Sequence, residues 1–491
     1  MPHVDFPQSH CQGAVARRDI TPPVGMYHRM WGAATHDRST GIHRPLLATA
    51  LVLKALPAAA TSPERNDTQD SETQVIVGID HCLLWTEEMQ ALVAGVCRIA
   101  HLEPHQLHIT FSHTHAAGLM DPQRANLPGG ELIAPYLAVL AERIGEAVCE
   151  GLQSIRPVRI VYGEGRCGLA RNRDFWDRDN ELFVCGLNPN GLSDDTVVVA
   201  RVTDENDRTI ATLVNYACHP TTLAWDNTLI SPDFVGAMRE LTESATQAPC
   251  LFLQGASGDL GPRDGFVGDV AVADRNGREL GHAALAALES VPRPSVRFEY
   301  LGPVVSGATI GAWDYARLPK QELEGKSDWQ CRQFTIDLSY RADLPTWDET
   351  QSALAQWQAD EAAALAKGDD ARARDCRAQV ERMTRQLARL RGLPTGKTVP
   401  LVVALWKLGD SLWLLLPAEH YNVLQRSLRQ RFQGRPMVIA TMTGGWLPGY
   451  LPAAETYDSE IYQQSIAVVE RGSLELVIET IGDHIARLLT T

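Results

Sequence analysis

Leu107-His108-Ile109-Thr110-Phe111-Ser112-His113-Thr114-His115 reads as a short buried strand that runs into a polar loop. Alternate residues of a strand project to one face, so the stretch is expected to turn His113 and His115 toward a common centre. The small residues Ala116-Ala117-Gly118 leave room around two imidazoles. Just upstream, Gln74-Val75-Ile76-Val77-Gly78-Ile79-Asp80 is a second buried strand, and residues 86–101 carry apolar positions at helical spacing. Strand, helix, strand is a βαβ rhythm, which predicts at least partly parallel pairing and an α/β fold.

The same pattern extends along the chain. Residues 131–153 and 267–289 are predicted helices, and 157–162 a strand. Residues 195–219 read as a hairpin with its turn at Asp204-Glu205-Asn206-Asp207, and Cys250-Leu251-Phe252-Leu253 as a short buried strand entering a glycine-rich turn. The first 60 residues mix turn signals with an apolar run at 46–56, and the polar stretch 61–72 reads as an exposed loop. Residues 347–392 are rich in Ala, Gln, Arg and Glu, with Val380, Met383, Leu387 and Leu390 at helical spacing. Gly368-Asp369-Asp370 breaks them into two arms, an inserted helical hairpin that serves as structure or as a lid. Strands return at 399–405, 411–416 and 437–441, and a helix begins near 473. No internal repeat and no trailing all-β module is read. The expectation is one mixed α and β domain over 1–491, a central mixed sheet flanked by helices.

Bulk properties narrow the function. Of 491 residues, 44% are apolar and 21% charged, ordinary for a soluble enzyme. The net charge of −15 argues against nucleic acid or an anionic membrane as partner. The ten cysteines form no CxxC pair, and several lie in apolar segments, a pattern that suits a reducing cytoplasm. The N-terminus has neither a basic nor an apolar signal region, and no apolar run approaches bilayer length. A cytoplasmic protein without stable membrane association is expected; a homo-oligomer is left open.

A third histidine ends a similar apolar strand in Thr212-Leu213-Val214-Asn215-Tyr216-Ala217-Cys218-His219-Pro220. Two strand-end histidines in polar loops are how a metal site is built on a rigid sheet edge. Other motifs are weaker. Gly163-Glu164-Gly165-Arg166-Cys167-Gly168 matches GxGxxG, but no amphipathic helix follows to hold a pyrophosphate. Ser257, in Gly255-Ala256-Ser257-Gly258-Asp259-Leu260-Gly261-Pro262, is a candidate nucleophile, although no nearby sequence supplies its base and a structural turn explains it as well. Glu419 follows a buried strand and could be a helix-start acid alone. Tyr450 sits in a loop of turn formers, where packing is the ordinary role.

Together these segments resemble the neutral (non-lysosomal) ceramidases. Residues 112–118 resemble that family's SHTHSGPG motif, 215–221 its strand ending in HPT, and Ile230-Ser231-Pro232-Asp233-Phe234 its ISPDF-like stretch. Residues 254–262 resemble its NxGDVSPN turn, Pro417-Ala418-Glu419 its PGEF, and 450–462 its YxTTYEEYxxxRY segment. Val15-Ala16-Arg17-Arg18-Asp19-Ile20-Thr21-Pro22 and Gly41-Ile42-His43 fit as well, so the resemblance runs in order along nearly the whole chain.

The resemblance implies one zinc ion held by His113, His219, Glu419 and Tyr450, and hydrolysis of an amide bond. It makes His115 a proton carrier beside the metal, Tyr462 the contact to the reacting carbonyl, and Arg173 and His43 substrate-binding residues. Tyr450 is an unusual ligand that could instead act in proton transfer. Gly261 stands where the family has a serine, so no nucleophile can act from that position. The family's secretory signal and C-terminal immunoglobulin-like domain are not found, which argues against ceramide itself. The expected function is a zinc-dependent hydrolase that cleaves a small carboxamide with metal-activated water. A metal-dependent ester or lactone hydrolase, a metal-independent serine hydrolase using Ser257 and a non-catalytic binding protein are the alternatives.

Overall fold

The computed structural model describes residues 2–57 and 73–490; the expected loop at 61–72 lies outside them. The principal sheet has eight strands. In chain order these are β1 (Gln8–Asp19), β2 (Leu47–Lys54), β3 (Thr73–Ile79), β4 (Leu107–Phe111), β5 (Arg156–Arg166), β6 (Thr196–Thr203), β7 (Thr209–Tyr216) and β8 (Cys250–Gln254). Their spatial order is β8-β7-β6-β5-β1-β2-β3-β4. β3 and β4 run parallel, with Val75 beside Leu107 and Ile79 beside Phe111, and helix α1 (Thr86–Ala100) makes the crossover. That is the βαβ unit read from the sequence. β7 and β8 are also parallel, whereas the remaining neighbours are antiparallel, so the sheet is mixed. The hairpin expected over 195–219 is β6 and β7.

A second sheet of four strands, β9 (Trp329–Ser339), β10 (Thr398–Leu408), β11 (Ser411–Leu415) and β12 (Met437–Ala440), lies in that order. The layering follows from strand alternation. In β2, Ala48, Ala50 and Val52 face helices α1 and α2 (Ile133–Gln153), while Leu51 and Leu53 face the second sheet. Both faces are buried, which is why β2 reads as a continuous apolar run. Helices α3 (Phe234–Thr246) and α4 (Val270–Ser290) cover the β8 end of the same face. Trp406 and Trp413 fill the space between the sheets; truncating either to alanine would cost about 3–5 kcal/mol.

Between β9 and β10, helices α5 (Trp347–Ala366) and α6 (Asp370–Gly392) pack against each other. Thr346 and Glu349 form a capping box at the start of α5. The outer face of the second sheet is covered by α7 (Val423–Arg431) and α8 (Ser473–Thr490). Among the described residues, no helix is long and apolar enough to cross a membrane.

The principal sheet curls so that its two edge strands meet. β4 packs against β8, and Gly78 on β3 allows it: a Cβ there would stand 2.6 Å from Leu251 Cδ1 and 3.1 Å from Phe252 O. Residues 441–444, just past β12, close the gap. Thr441 N donates to Gln254 O at 2.9 Å and Gly444 N to Ile109 O at 2.8 Å, one bond to each edge. The curl carries the loops after β4 and β7 to one side of the molecule.

Candidate metal centre

His113 and His219 follow β4 and β7, and the curl brings their imidazoles together. β4 ends at Phe111, so strand alternation does not orient His113 and His115 as expected. His113 instead adopts a left-handed backbone with φ of 69°. The turn reaches the same end: the His113 and His115 rings lie 5.0 Å apart, nearly perpendicular. Glu419 follows β11 through Ala418, which has φ of 76°. Two non-glycine residues in this region store about 1–3 kcal/mol each. Backbone bonds hold both in place, His113 N to His81 O at 2.9 Å and Ala418 N to Gly445 O at 3.3 Å. Glu419 and His420 pair in parallel with Tyr450 and Leu451, and this register sets Glu419 beside Tyr450.

The donor atoms converge. His113 Nε2 is 3.1 Å from His219 Nε2 and 3.3 Å from Glu419 Oε2. His219 Nε2 is 2.8 Å from Glu419 Oε2 and 3.3 Å from the Tyr450 hydroxyl. Donors about 2.0–2.2 Å from a tetrahedral ion stand about 3.3–3.6 Å from each other, so a small outward shift of these groups would seat one such ion. The tautomers agree. His113 Nδ1 donates to Cys82 O and His219 Nδ1 to Ser257 O, both at 2.7 Å, so in the neutral rings both Nε2 lone pairs point into the centre. Glu419 Oε2 finds no hydrogen-bond donor. Three buried acceptors facing one another call for a cation. Cys82 Sγ also lies 3.7 Å from His113, but on the Nδ1 side, where the nitrogen is already committed.

Burial works to lower His113, yet Cys82 and the Glu419 carboxylate raise it well above its ordinary value, so this site draws positive charge. Burial would raise the Glu419 carboxyl, yet the His113 and His219 imidazoles hold it well below its usual range. Burial, with Arg173 nearby, lowers His219 to about 4. Burial, helped by His113 and His219, also keeps His115 well below its ordinary value. The Tyr450 hydroxyl is pushed up by burial, opposed by the Arg173 guanidinium. Arg173 Nη2 donates to Tyr450 Oη at 2.9 Å and to Gly258 O at 2.7 Å.

No protein-family model and no curated protein matches the chain. Solved structures do. The crystal structure of neutral ceramidase from Pseudomonas aeruginosa aligns with 98% of this chain and 74% of its own, at a TM-score of 0.63 and 16% identity. A ceramidase complexed with C2 aligns with 97% of this chain and 74% of its own, at a TM-score of 0.63 and 14% identity. The chain has a neutral-ceramidase-like fold.

Within this ceramidase-like frame the remaining predicted residues take different places. His115 is partly buried; its Nε2 has no partner, and its ring lies 5.2 Å from that of Trp31. Tyr462 is 47% exposed, with its ring 6.0 Å from Tyr450. His43 is not among the groups brought to the centre: its Nδ1 meets Ser231 Oγ at 2.9 Å and its Nε2 lies 3.1 Å from Asp274. Ser257 sits behind His219, where its hydroxyl accepts from Gln254 Nε2 at 2.6 Å. Gly261 pairs with Arg171 in a short ladder that carries the chain into Arg173.

Two supporting residues were missed from sequence. Trp446 Nε1 donates to Glu419 Oε1 at 2.5 Å and fixes the carboxylate. Asp259 accepts from Asn422 N at 2.7 Å while its own carbonyl accepts from Arg173 N at 3.0 Å, tying the glycine-rich turn to Glu419's strand. A tryptophan among glycines and prolines was the available signal for the first; nothing in the spacing marks the second.

Proposed function

We propose that this ceramidase-like chain is a zinc-dependent amidohydrolase that cleaves an N-acyl amide smaller than ceramide. The observation that carries the reading is the convergence of His113 Nε2, His219 Nε2, Glu419 Oε2 and the Tyr450 hydroxyl. Nitrogen and oxygen donors in this number suit Zn²⁺, which when bound supplies Lewis-acid polarisation and lowers the pKa of a water to about 7.

The chain's own residues would do the rest. The Nδ1 bonds to Cys82 O and Ser257 O hold the imidazole planes, and Trp446 holds Glu419. Arg173 offers a positive charge to Tyr450 and so favours its phenolate over what burial alone would allow. His115, kept neutral, would take a proton and deliver it to the leaving nitrogen. Tyr462 would donate its hydroxyl to the reacting carbonyl. The poor leaving group of an amide is what gives a positioned proton donor its value. The net charge of −15, which disfavours anionic membrane surfaces, supports a substrate free in solution, and ten free cysteines support a cytoplasmic location.

Elemental analysis of wild type and His219→Ala, purified without chelator, tests the reading. About one zinc per chain, lost in the variant, is expected, followed by faster turnover of N-acyl amides than of matched esters relative to their uncatalysed rates. Metal-free wild type would sink it.

A further inference from the structure

Helix α6 carries Arg382, Arg385 and Arg389, whose spacing sets them on one face. The file runs inward: Arg382 is exposed, Arg385 half-buried and Arg389 only 5% exposed. Arg382 reaches Ser465 Oγ at 3.5 Å, and Arg385 donates to Met30 O. Arg389 lies over the Trp446 ring, 5.6 Å from its centroid. The other edge of that indole holds Glu419, so one side chain separates the innermost guanidinium from the metal centre.

Arg389 is buried with no carboxylate beside it, while Arg385 shares the field of the Glu381 carboxylate one turn back. Elsewhere on α6, Arg372, Arg377 and Arg391 pair with carboxylates, whereas the exposed Arg374 has none within 4.0 Å among the described residues. Buried arginines elsewhere pair too: Arg124 with Glu381, Arg239 with Asp80, Arg429 with Asp194. Among the described residues, no carboxylate lies within 4.0 Å of Arg382, Arg385 or Arg389. The chain has 60 aspartates and glutamates against 45 lysines and arginines, so acidic partners are in surplus. A buried, uncompensated guanidinium is costly, and such charges persist where a ligand completes them. Burial lowers Arg389 to about 10, and only the Tyr462 and Tyr450 hydroxyls work to raise it. Gln386 Oε1 takes Nη1 of Arg389. Nε and Nη2, the side-on pair that matches the two oxygens of a carboxylate, make no hydrogen bond among the described residues and are not sealed from solvent.

We infer that the Arg382, Arg385 and Arg389 face binds a carboxylate of the substrate, which makes the substrate an N-acyl amino acid. This rests on the amidohydrolase reading and adds its substrate class. Arg389 clamps the carboxylate while the acyl carbonyl lies at the metal centre, and Arg382 and Arg385 draw the anion inward.

The test uses zinc-loaded protein with N-acetyl-L-phenylalanine and its neutral primary amide, N-acetyl-L-phenylalaninamide. Binding is followed by calorimetry, and hydrolysis of the acid by release of phenylalanine. Wild type is expected to bind the acid on the order of 30-fold tighter than the amide, and Arg389→Gln to abolish that preference while retaining zinc. Arg382→Gln, at an exposed position that cannot unfold the chain, is expected to weaken the acid about threefold and leave the amide unchanged. Equal binding of acid and amide by wild type, or a preference that survives in Arg389→Gln, overturns the inference. An acid preference abolished by Arg389→Gln with no amide hydrolysed keeps the anion site and sinks the amidohydrolase reading. Hydrolysis of neutral N-acyl amides at equal rates in wild type and Arg389→Gln does the reverse.

Discussion

The Nε2 atoms of His113 and His219 face each other at 3.1 Å while each ring's Nδ1 donates to a backbone carbonyl. Two lone pairs at that distance, with the Glu419 carboxylate beside them, repel unless a positive charge stands between. Stripping the protein with a chelator is therefore expected to lower its melting temperature, and zinc to restore it. At zinc about 100 times its Kd the gain is about 2.7 kcal/mol. Scanning calorimetry of stripped and reloaded protein measures it; identical transitions would show that no ion belongs there.

Trp446→Phe keeps the ring under Arg389 and removes only the N–H that holds Glu419 Oε1. The expected result is zinc affinity weakened by about 10–100-fold with little change in stability. Competition against a chromogenic chelator reads the affinity, and unchanged binding would deny Trp446 its orienting role.

Ser257→Ala separates metal chemistry from serine chemistry. The hydroxyl lies on the Nδ1 side of His219, away from the converging Nε2 atoms, and accepts from Gln254. Its loss should cost about 1 kcal/mol of stability and leave kcat nearly intact, because Gln254 Nε2 keeps its second acceptor, Cys218 O. Abolished turnover in a folded, zinc-loaded variant would restore Ser257 as nucleophile.

Acid should unfold the protein through buried histidines that are not among the converging donors. Burial lowers His81 and His108 to about 4. A histidine with a folded value below its unfolded one, about 6.5, binds fewer protons folded than unfolded between those two values. Stability therefore falls as pH drops from about 6.5 to about 4, by up to about 1.4 kcal/mol per pH unit for each such group. His108→Gln, which removes the ring beside Trp406, should make that decline shallower in urea titrations at pH 6.5 and 4.5. An unaltered slope would refute the assignment.

The strands that were legible in the sequence, such as β3, β4, β7 and β8, are buried on both faces and so appear as unbroken apolar runs. β1 escaped because Gln8, Ser9 and His10 interrupt it; Ser9 is buried among Tyr162, Ser411 and Leu408 O, partners invisible to local spacing. β9 was missed although its half toward Ser339 alternates exposed polar residues with Ile336 and Leu338, a period-two strand signal that was available. The strand-end histidines pointed to a metal, but their meeting depends on the curl that joins β4 to β8. Likewise, Val380, Met383, Leu387 and Leu390 marked α6 as a helix without showing that Arg389 turns inward over Trp446.

The four groups of the centre stand at positions 113, 219, 419 and 450, two of them in loops after strands and two opening a short ladder. A nascent chain emerging from its N-terminus thus presents two histidines long before their acidic partner exists. Premature capture of an ion by a half-made polypeptide is disfavoured, since two imidazoles alone make a poor cage. On the proposed reading, loading would be the last event of assembly, and an ion held at full strength would mark a chain made past Tyr450 with both sheets closed.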